Sequence, residues 1–291
     1  MNKFKGIILA GGSGTRLHPI TISTSKQLLP LYDKPMIYYP LYSLMEADIR
    51  DILIITTPLD LPAFRRLLGD GSHLGMNINY AEQPSPDGLA QAFIIGENFI
   101  ASDPVALILG DNIFHGVEFH KILQKAKSRK VGATILGYEV KDPQRFGVAE
   151  IDINNNISAI REKPSNPKSN IAVTGFYFYD NEVVNISKKL KPSSRNELEI
   201  TDIHNHYLKK DKLSLEILSK DFTWLDTGTY DSLIEASIFV QNLDQSSHFK
   251  LGCIEEIAFR KKWISDEDLF KLSEKYSKTS YGIYLKSLLG Q

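Results

Sequence analysis

The chain has 291 residues, and its 34 lysines and arginines nearly balance its 35 aspartates and glutamates, giving a formal net charge of −1. A chain so close to neutral has no overall attraction for a polyanion, which argues against a nucleic-acid partner. The single cysteine, Cys253, excludes an intrachain disulfide and fits a reducing compartment. No apolar run reaches the roughly 18 residues that span a bilayer, and no signal peptide is visible, so the sequence predicts a cytoplasmic protein without a membrane partner.

The first half of the chain alternates short apolar runs with segments of helical periodicity. The runs predict strands at residues 4–10, 51–57, 105–110 and 131–140, and the periodic segments predict helices at 36–46 and 89–100. Alternation of this kind predicts a mainly parallel sheet that is covered by helices on both faces.

Beyond residue 140 the connections become shorter, which predicts that the sheet becomes mixed. Strands are predicted at 147–152, 157–161, 171–179, 213–218 and 223–225, and helices at 181–190, 200–210 and 231–243, with Asp231 as the N-cap of the last. A polar break at 245–248 leads into a tail with helices predicted at 254–262 and 266–289. A tail of about 45 residues is too small for a core of its own, so it should pack on the main body or on a neighbouring subunit. The predicted division is a main domain at 1–244 and a helical extension at 245–291.

Three glycines, Gly11, Gly12 and Gly14, fall within four residues directly after the first predicted strand. Glycine adopts positive φ values that other residues resist, so successive backbone N–H groups of such a loop can converge on an anion. Arg16 and Lys26 follow and add positive charge. The glycines alone would fit a tight strand-to-helix turn equally well, and the added charges favour phosphate binding.

The loop fits neither of two common nucleotide-binding patterns, because the third glycine of the Rossmann fingerprint would fall at Leu17 and no Gly-Lys-Ser/Thr follows. Residues 11–17 (Gly-Gly-Ser-Gly-Thr-Arg-Leu) and 25–30 (Ser-Lys-Gln-Leu-Leu-Pro) instead resemble the signature of the sugar-1-phosphate nucleotidylyltransferases. The run at 31–41 (Leu-Tyr-Asp-Lys-Pro-Met-Ile-Tyr-Tyr-Pro-Leu) narrows the resemblance to members that use dTTP and glucose 1-phosphate. Further matches extend over nearly the whole chain, at residues 82–84, 88–91, 109–112, 161–164, 174–176 and 224–228.

The resemblance implies a Rossmann-like α/β nucleotidyltransferase fold with a mixed, mainly parallel central sheet and a helical C-terminal tail. It implies an enzyme that joins dTTP to glucose 1-phosphate with release of pyrophosphate, at the first step of dTDP-rhamnose synthesis. It also implies a homotetramer with the tail helices near the subunit contacts. Two other classes stay open: a uridylyl- or cytidylyltransferase of the same fold, and a non-catalytic subunit that binds nucleotide sugars. The second class should have lost a metal carboxylate or Arg16, and neither is lost.

Two aspartates are the candidates for a metal site. Asp111 ends a predicted buried strand, and Asp226 follows an apolar segment and precedes a glycine turn. Ligands bind at the carboxyl ends of strands in open α/β sheets, and Mg²⁺ is usually held by one or two carboxylates together with substrate phosphates. Taken singly, each aspartate is more often a turn or cap residue. Both match the family's metal-binding positions, so the resemblance implies that they hold Mg²⁺.

The resemblance also implies two sets of binding residues. The nucleotide set is Leu9, Gly11, Gly12, Ser13, Gly14, Thr15, Arg16, Lys26, Gln27, Gln83 and Gly88, and the sugar-phosphate set is Asn112, Gly147, Glu162, Lys163, Val173 and Tyr177. The implied catalytic residues are Arg16, Lys26, Asp111, Lys163 and Asp226. From the residues alone, Gln27 and Gln83 would be solvated loop amides, and Glu162 with Lys163 an exposed charge pair. Phe146 stands where many relatives carry tyrosine, so one hydroxyl contact is absent here.

Enzymes of this family are inhibited by dTDP-rhamnose at a second nucleotide site near the subunit contacts, and the resemblance implies the same here. The candidate residues are Gly116, His120 and Glu256, the last within a tail segment at 253–257. A helix beginning after Gly116 would present N–H groups to a diphosphate. Alternatively, the tail only stabilises the oligomer. The histidines suit surface or core roles, since His204 and His206 would point to different faces of a helix.

Overall fold

The computed structural model of the chain describes residues 3–153, 156–247 and 249–290. Its strands are β1 (Lys5–Ala10), β2 (Pro30–Leu31), β3 (Lys34–Pro35), β4 (Asp51–Thr56), β5 (Asn77–Glu82), β6 (Val105–Leu109), β7 (Asn112–His115), β8 (Ala133–Glu139), β9 (Gly147–Ile151), β10 (Ile157–Glu162), β11 (Ile171–Tyr179), β12 (Leu213–Ile217) and β13 (Thr223–Asp226). Its helices are α1 (Tyr38–Glu46), α2 (Leu61–Leu68), α3 (Gln91–Ile95), α4 (Glu97–Ile100), α5 (Phe119–Ser128), α6 (Glu182–Ser187), α7 (Ile200–Leu208), α8 (Tyr230–Ser246), α9 (Ile254–Arg260), α10 (Asp266–Lys275) and α11 (Ser280–Ser287).

Strands β1, β4, β5 and β6 form the parallel half of the main sheet. β1 lies between β4 and β6, with Ile8 opposite both Ile54 and Ile108, and β5 continues the sheet beyond β4. Side chains of β1 alternate between the faces, so Ile8 packs into one core and Ile7 into the other. Strands that are buried on both faces appear in the sequence as continuous apolar runs. The prediction of a mainly parallel sheet in this half is confirmed.

The other half of the sheet is largely antiparallel. β11 lies antiparallel to β6, and β8 and β9 both pair antiparallel with β11. β10 extends the sheet beyond β9, and β12 pairs parallel with β8. Nine strands make up this sheet within the described residues, so the predicted mixed sheet is confirmed. Two small pairs lie apart from it, β13 with β7 and β2 with β3.

Helices cover both faces of the sheet. One core contains buried side chains of α1, α2, α5, α8 and the tail helices, and the other contains those of α3, α4, α6 and α7. The tail is attached through α9, which contacts α1, while α10 and α11 pack against each other. The predicted helical tail is therefore confirmed. Among the described helices, none combines the length and apolar character that crossing a membrane requires.

Two predicted helices are each divided in the structure. The helix predicted at 89–100 is interrupted at Gly96, where a Cβ would lie 2.9 Å from the Ala92 carbonyl oxygen and 3.0 Å from Ile7 Cδ1. The helix predicted at 266–289 ends at Lys275, and a new one starts behind Thr279, whose side chain accepts a hydrogen bond from Gly282 N. Local periodicity continues across both breaks, which is why it did not detect them.

The predicted N-cap of α8 is wrong. The cap is Thr229, whose side chain accepts from Ser232 N while the Ser232 side chain bonds back to the Thr229 backbone. This reciprocal capping box satisfies two backbone donors, and Asp231 lies in the first turn. The helix continues to Ser246, so the predicted division between 244 and 245 falls in its last turn and stays a prediction.

Candidate active site

The parallel half of the sheet brings the glycine loop and Asp111 to one edge. β1 and β6 run parallel with Leu9 opposite Leu109, so the chain leaves both strands at the same end. The glycine loop follows β1 directly, and Asp111 follows β6 by two residues. β13 lies antiparallel to β7 with Asp226 opposite Asn112, which makes Asp226 a neighbour of Asp111 across the small sheet.

The structure requires a glycine at two of the three loop positions, for different reasons. Gly14 has a φ of 62°, in the left-handed region, and precedes a short 3₁₀ turn at Thr15–Leu17. Gly11 has no positive φ, but a Cβ on it would collide with the Gln83 side chain. Gly12 also lacks a positive φ, and a Cβ there would meet open space. The expectation of positive φ thus holds at Gly14 alone, and close packing explains Gly11.

Cations surround the two aspartates. Lys26 Nζ donates to Asp111 Oδ2 and is itself buried. Arg145 Nη2 lies 3.9 Å from Asp226 Oδ2. The Arg16 guanidinium lies against the turn after β13, where a Cβ on Gly228 would be 3.1 Å from Nη2. Sequence reasoning did not detect Arg145, because nothing local separates it from any exposed arginine.

The two carboxyl groups have opposite pKa shifts. Burial alone would raise the pKa of Asp111, but the Lys26 charge and the hydrogen bonds from Lys26 and Asn112 hold it below its usual value. Burial, and then repulsion from Asp111, raise the pKa of Asp226 to about 6. The charges of Lys26, Arg16 and Arg145 lower the pKa of Asp226, but they do not offset burial and the nearby Asp111 charge.

This donor set fits a hard divalent cation. Carboxylate oxygens are ligands that Mg²⁺ prefers, and such sites usually combine one or two carboxylates with substrate phosphates. No group of three His, Cys, Asp or Glu side chains suited to a metal occurs among the residues described. An ion held by Asp111 and Asp226 would therefore take its other ligands from substrate or water.

Strand register assembles the sugar half of the predicted site. Gly147 on β9 lies opposite both Glu162 on β10 and Val173 on β11. Lys163 follows β10 with a φ of 40°, and its backbone N–H donates to the Phe146 carbonyl oxygen at 3.0 Å. A lysine in the left-handed region is unusual, and the turn it makes holds the start of β9 against the end of β10.

Arg195 links three glutamates beside this half of the site, and the sequence reasoning missed it. Its Nη2 lies 3.1 Å from Glu162 Oε1, 3.2 Å from Glu197 Oε2 and 2.7 Å from Glu199 Oε2. Burial raises the pKa of Glu162 despite the opposing charges of Lys163 and Arg195. In the sequence, 195–199 is a short charged run of the kind that usually covers a solvated face, so it gave no usable signal.

One cavity of about 400 Å³ collects nearly all the predicted residues. Every residue of the predicted nucleotide and sugar-phosphate sets lines it, except Gly11. Asp111 and Asp226 line it too, together with residues outside the matched motifs, among them Arg145, Arg195, Glu197, Glu199, Thr201 and His204. His204 is fully buried and bonds Tyr179 Oη through Nε2 at 2.7 Å, so of the surface and core roles predicted for the histidines it has the core one.

The residues predicted to face the base are already engaged with neighbours. Gln83 Nε2 donates to Gln91 Oε1 at 2.6 Å, and Gln27 Oε1 accepts from Ser25 Oγ at 2.7 Å. Both glutamines are buried, so they are not the solvated amides of the alternative interpretation. Gly88 has a φ of 107° and packs against the Leu198 backbone, so its backbone conformation and this close contact both require a glycine.

The residues predicted for a second nucleotide site lie outside this cavity. Glu256 is 1% exposed and accepts from Arg260 Nε at 2.7 Å and from Tyr284 Oη at 2.6 Å. His120 is half-exposed on α5, and its Nδ1 lies 2.8 Å from the Glu46 carbonyl oxygen at the end of α1. Gly116 packs against Phe222, whose ring a Cβ would overlap.

Known sequences with high similarity cover almost the entire chain. A sequence model of the nucleotidyl transferase family matches residues 5–242. A glucose-1-phosphate thymidylyltransferase of Neisseria meningitidis is 58% identical over 285 residues, which cover 98% of this chain and 99% of that protein. One of Mycobacterium tuberculosis is 54% identical over 98% of this chain and 99% of that protein.

Solved structures agree with the sequences. A Bacillus anthracis protein assigned as a glucose-1-phosphate thymidylyltransferase, solved with bound sucrose, is 45% identical with a TM-score of 0.77. The match covers 83% of this chain and 96% of that one. A UDP-glucose pyrophosphorylase solved with UDP-glucose shares the fold, with a TM-score of 0.73 at 24% identity and coverage of 82% and 98%. The chain therefore belongs to the nucleotidyl transferase family, among its glucose-1-phosphate thymidylyltransferases.

Proposed function

We propose that this chain transfers the thymidylyl group of dTTP to glucose 1-phosphate, giving dTDP-glucose and pyrophosphate. The observation that carries the proposal is the composition of the cavity. The glycine loop, Arg16 and Lys26 line it from the parallel half of the sheet, Glu162 and Lys163 from the antiparallel half, and both aspartates line it as well. The activity named for the Neisseria and Mycobacterium relatives supports the choice of substrates.

The reaction is a displacement at phosphorus. A phosphate oxygen of glucose 1-phosphate forms a bond to the α-phosphorus of dTTP. The bond from that phosphorus to the oxygen bridging the β-phosphate breaks, and pyrophosphate leaves with the electron pair. The attacking phosphate is already ionised at neutral pH, so no base has to remove a proton and no covalent enzyme intermediate is needed. The protein contributes alignment and charge stabilisation.

Three basic side chains divide the phosphate charges between them. Lys163 holds the phosphate of the attacking sugar, Lys26 binds the triphosphate, and Arg16 stabilises the charge that develops on the leaving pyrophosphate. Glu162 accepts hydrogen bonds from sugar hydroxyls. Its neighbour Arg195, 3.1 Å away, keeps its carboxylate in place.

Asp111 and Asp226 would hold Mg²⁺. When bound, the ion supplies positive charge that neutralises the α-phosphate as negative charge accumulates there. Lys26, through its hydrogen bond, keeps Asp111 ionised and therefore able to accept a cation.

A panel of nucleotides tests the reaction. Pyrophosphate release is measured with dTTP, UTP, CTP, ATP and GTP, each with glucose 1-phosphate, and we expect dTTP to give the highest kcat/KM. The variant Asp111→Asn, assayed in the same way, is the negative control. A clear preference for UTP or CTP would assign the chain to a same-fold transferase with a different base. Turnover with none of the five would support the non-catalytic alternative.

The homotetramer and the second nucleotide site belong to the same proposal. Two exposed isoleucines one helical turn apart, Ile234 and Ile238 on α8, form an apolar pair that a subunit contact would cover. Light scattering on the purified chain should give the mass of four subunits. A mass of one or two subunits would contradict the tetramer without affecting the proposed reaction.

A further inference from the structure

The buried amide of Asn112 is held from three sides. Its Oδ1 accepts from the indole Nε1 of Trp224 at 2.7 Å and from the backbone N–H of Gly175 at 3.1 Å. Its Nδ2 donates to Asp111 Oδ1 at 3.0 Å. Asn112 is 2% exposed and Trp224 is 7% exposed, so bulk water does not compete for these hydrogen bonds.

This pattern allows one orientation of the amide. If the amide were flipped, its NH₂ group would face two N–H donors, and its oxygen would face the Asp111 carboxylate. Both contacts would be repulsive, and a buried donor without an acceptor costs about 1–3 kcal/mol. The two donors at Oδ1 therefore fix the amide with its NH₂ group directed at Asp111.

Gly175 is shaped for this arrangement. A Cβ on it would lie 2.6 Å from Asn112 Oδ1, which is too close for the amide to stay in place. The glycine lets β11 bring its backbone N–H against Oδ1. Trp224 reaches the same atom from β13, where it lies two residues before Asp226.

We propose that Trp224 is a positioning residue for the metal carboxylate Asp111, and that it acts through Asn112. The indole N–H fixes the amide, and the amide fixes one oxygen of Asp111 while Lys26 bonds the other. Each carboxylate oxygen keeps a second lone pair for a cation. The hydrogen bonds thus run from the indole to the amide and from the amide to the carboxylate, which binds the cation. This proposal about Trp224 rests on the proposed function in one respect, namely that Asp111 binds the divalent ion.

The role is tested on metal binding and not only on turnover. Mn²⁺ is titrated into the full-length enzyme with excess dTTP and no sugar phosphate, and enhanced water-proton relaxation measures the enzyme-bound ion. Asp111→Asn sets the background. Replacing the partner behind a metal ligand typically weakens metal affinity 10- to 100-fold, so we expect Trp224→Phe to weaken Mn²⁺ binding about tenfold and to lower kcat.

A variant of the same shape removes the question of folding. β-(3-benzothienyl)alanine at position 224 replaces the indole N–H by sulfur and keeps the ring system, and it should weaken Mn²⁺ binding like Trp224→Phe. Tyr138→Leu is the control, because Tyr138 packs edge-on against Trp224 with ring centroids 6.0 Å apart and donates its hydrogen bond to the Phe222 carbonyl oxygen. It should lower stability and leave Mn²⁺ affinity unchanged.

A double-mutant cycle tests whether Trp224 acts on Asp111 through Asn112. Residues that act through one another give non-additive effects, so Trp224→Phe should cause no further loss of Mn²⁺ affinity in an Asn112→Ala background. Multiplying effects, or wild-type affinity in the benzothienyl variant, would overturn the proposal. A wild-type signal no higher than that of Asp111→Asn would instead count against the metal site in the proposed function.

Discussion

The cavity and the C-terminal tail each contain a pair of carboxyl groups, half-buried in the cavity and fully buried in the tail, and the protein satisfies the two pairs differently. In the cavity, Lys26 and Asn112 donate to Asp111. Asp226 accepts no side-chain hydrogen bond from the described residues, and Arg145 stands 3.9 Å from it. The pKa of Asp226 is accordingly raised to about 6, by burial and by the charge of Asp111.

In the tail, both carboxyl groups lie in the first turn of α9 and have close donors. Tyr281 Oη donates to Glu255 Oε2, and Tyr284 Oη donates to Glu256 Oε2 at 2.6 Å. Arg260, one helical turn along, donates a hydrogen bond to the other carboxylate oxygen of Glu256. Acidic residues in a first turn are also stabilised by the helix dipole. Each carboxyl group of this pair therefore has a hydrogen-bond donor from the protein, although burial still raises the pKa of Glu255.

The comparison shows that burial of carboxylates does not by itself identify a site. The tail pair receives hydrogen bonds from α11 and from α9 itself, so these bonds join α9 to α11 within the tail. In the cavity pair, Asp226 lacks such a donor among the described residues, and the charges of Lys26, Arg16 and Arg145 do not offset the effects of burial and of Asp111 on its pKa. A cation or a cation-bound substrate can supply further positive charge beside Asp226.

The largest expected effect comes from neutralising one member of the cavity pair. Asp111→Asn should lower kcat roughly 10²–10³-fold in saturating Mg²⁺, the scale on which removing one group that stabilises a transition state acts. Glu255→Gln, the same chemical change in the tail pair, should leave kcat near the wild-type value. Pyrophosphate release measures both, and thermal unfolding establishes that each variant is folded. Equal losses in the two variants would erase the distinction between the pairs.

The next effect separates the two sides of the cavity. Lys163→Ala should raise the KM for glucose 1-phosphate roughly 10- to 100-fold, because a charge-assisted hydrogen bond contributes about 1.5–3 kcal/mol. The affinity for dTTP, measured by calorimetry without the sugar phosphate, should not change. Arg161→Ala is the control, since Arg161 pairs with Glu150 at 2.7 Å outside the cavity. Weaker dTTP binding in Lys163→Ala would mean that this lysine serves the nucleotide.

A stability measurement then examines the tail pair. Tyr281→Phe leaves the buried Glu255 carboxyl without this donor, so the free energy of unfolding should fall by about 1–3 kcal/mol. Denaturant unfolding of the ligand-free protein measures the loss, and kcat at 25 °C should stay unchanged. Tyr32→Phe, at a tyrosine that is 40% exposed, should alter neither quantity. An unchanged free energy of unfolding for Tyr281→Phe would show that the tail pair is not held as described.

Sequence patterns predicted the parts of the fold that depend on neighbours along the chain. The strands at 4–10 and 105–110 are continuous apolar runs, and their parallel pairing could be inferred from the helices between them. The edge strand β5 was missed because only one face of it is apolar, with Ile78 buried between exposed Asn77 and Asn79. Pairing at an edge leaves no such run.

The residues of the site fall into the same two groups, those that local motifs identify and those that only the fold brings together. Motifs in the glycine loop and around Asp111 named residues that the structure brings into one cavity. Arg195 was missed because its partner Glu162 lies 33 residues away on β10, while Arg195 lies in the connection between α6 and α7. The link between Trp224 and Asn112 spans 112 residues and depends on how β13 pairs with β7. Contacts between distant residues require the register, and no local spacing contains it.

The smallest expected effect concerns the predicted second nucleotide site. A bulky change at Gly116 is a poor test, because any Cβ there would overlap Phe222 and disturb the core. His120→Ala is better, since this side chain is 48% exposed and its removal leaves the packing of α5 intact. Allosteric coupling is typically worth 1–3 kcal/mol, so losing one contact should raise the inhibitory concentration of dTDP-rhamnose about fivefold, with the uninhibited kcat unchanged. Lys121→Ala, one residue along and 74% exposed, is the control and should leave inhibition as it is. Inhibition that competes with dTTP and is identical in both variants would assign dTDP-rhamnose to the cavity, and the buried Glu255 and Glu256 would then serve only to hold the tail.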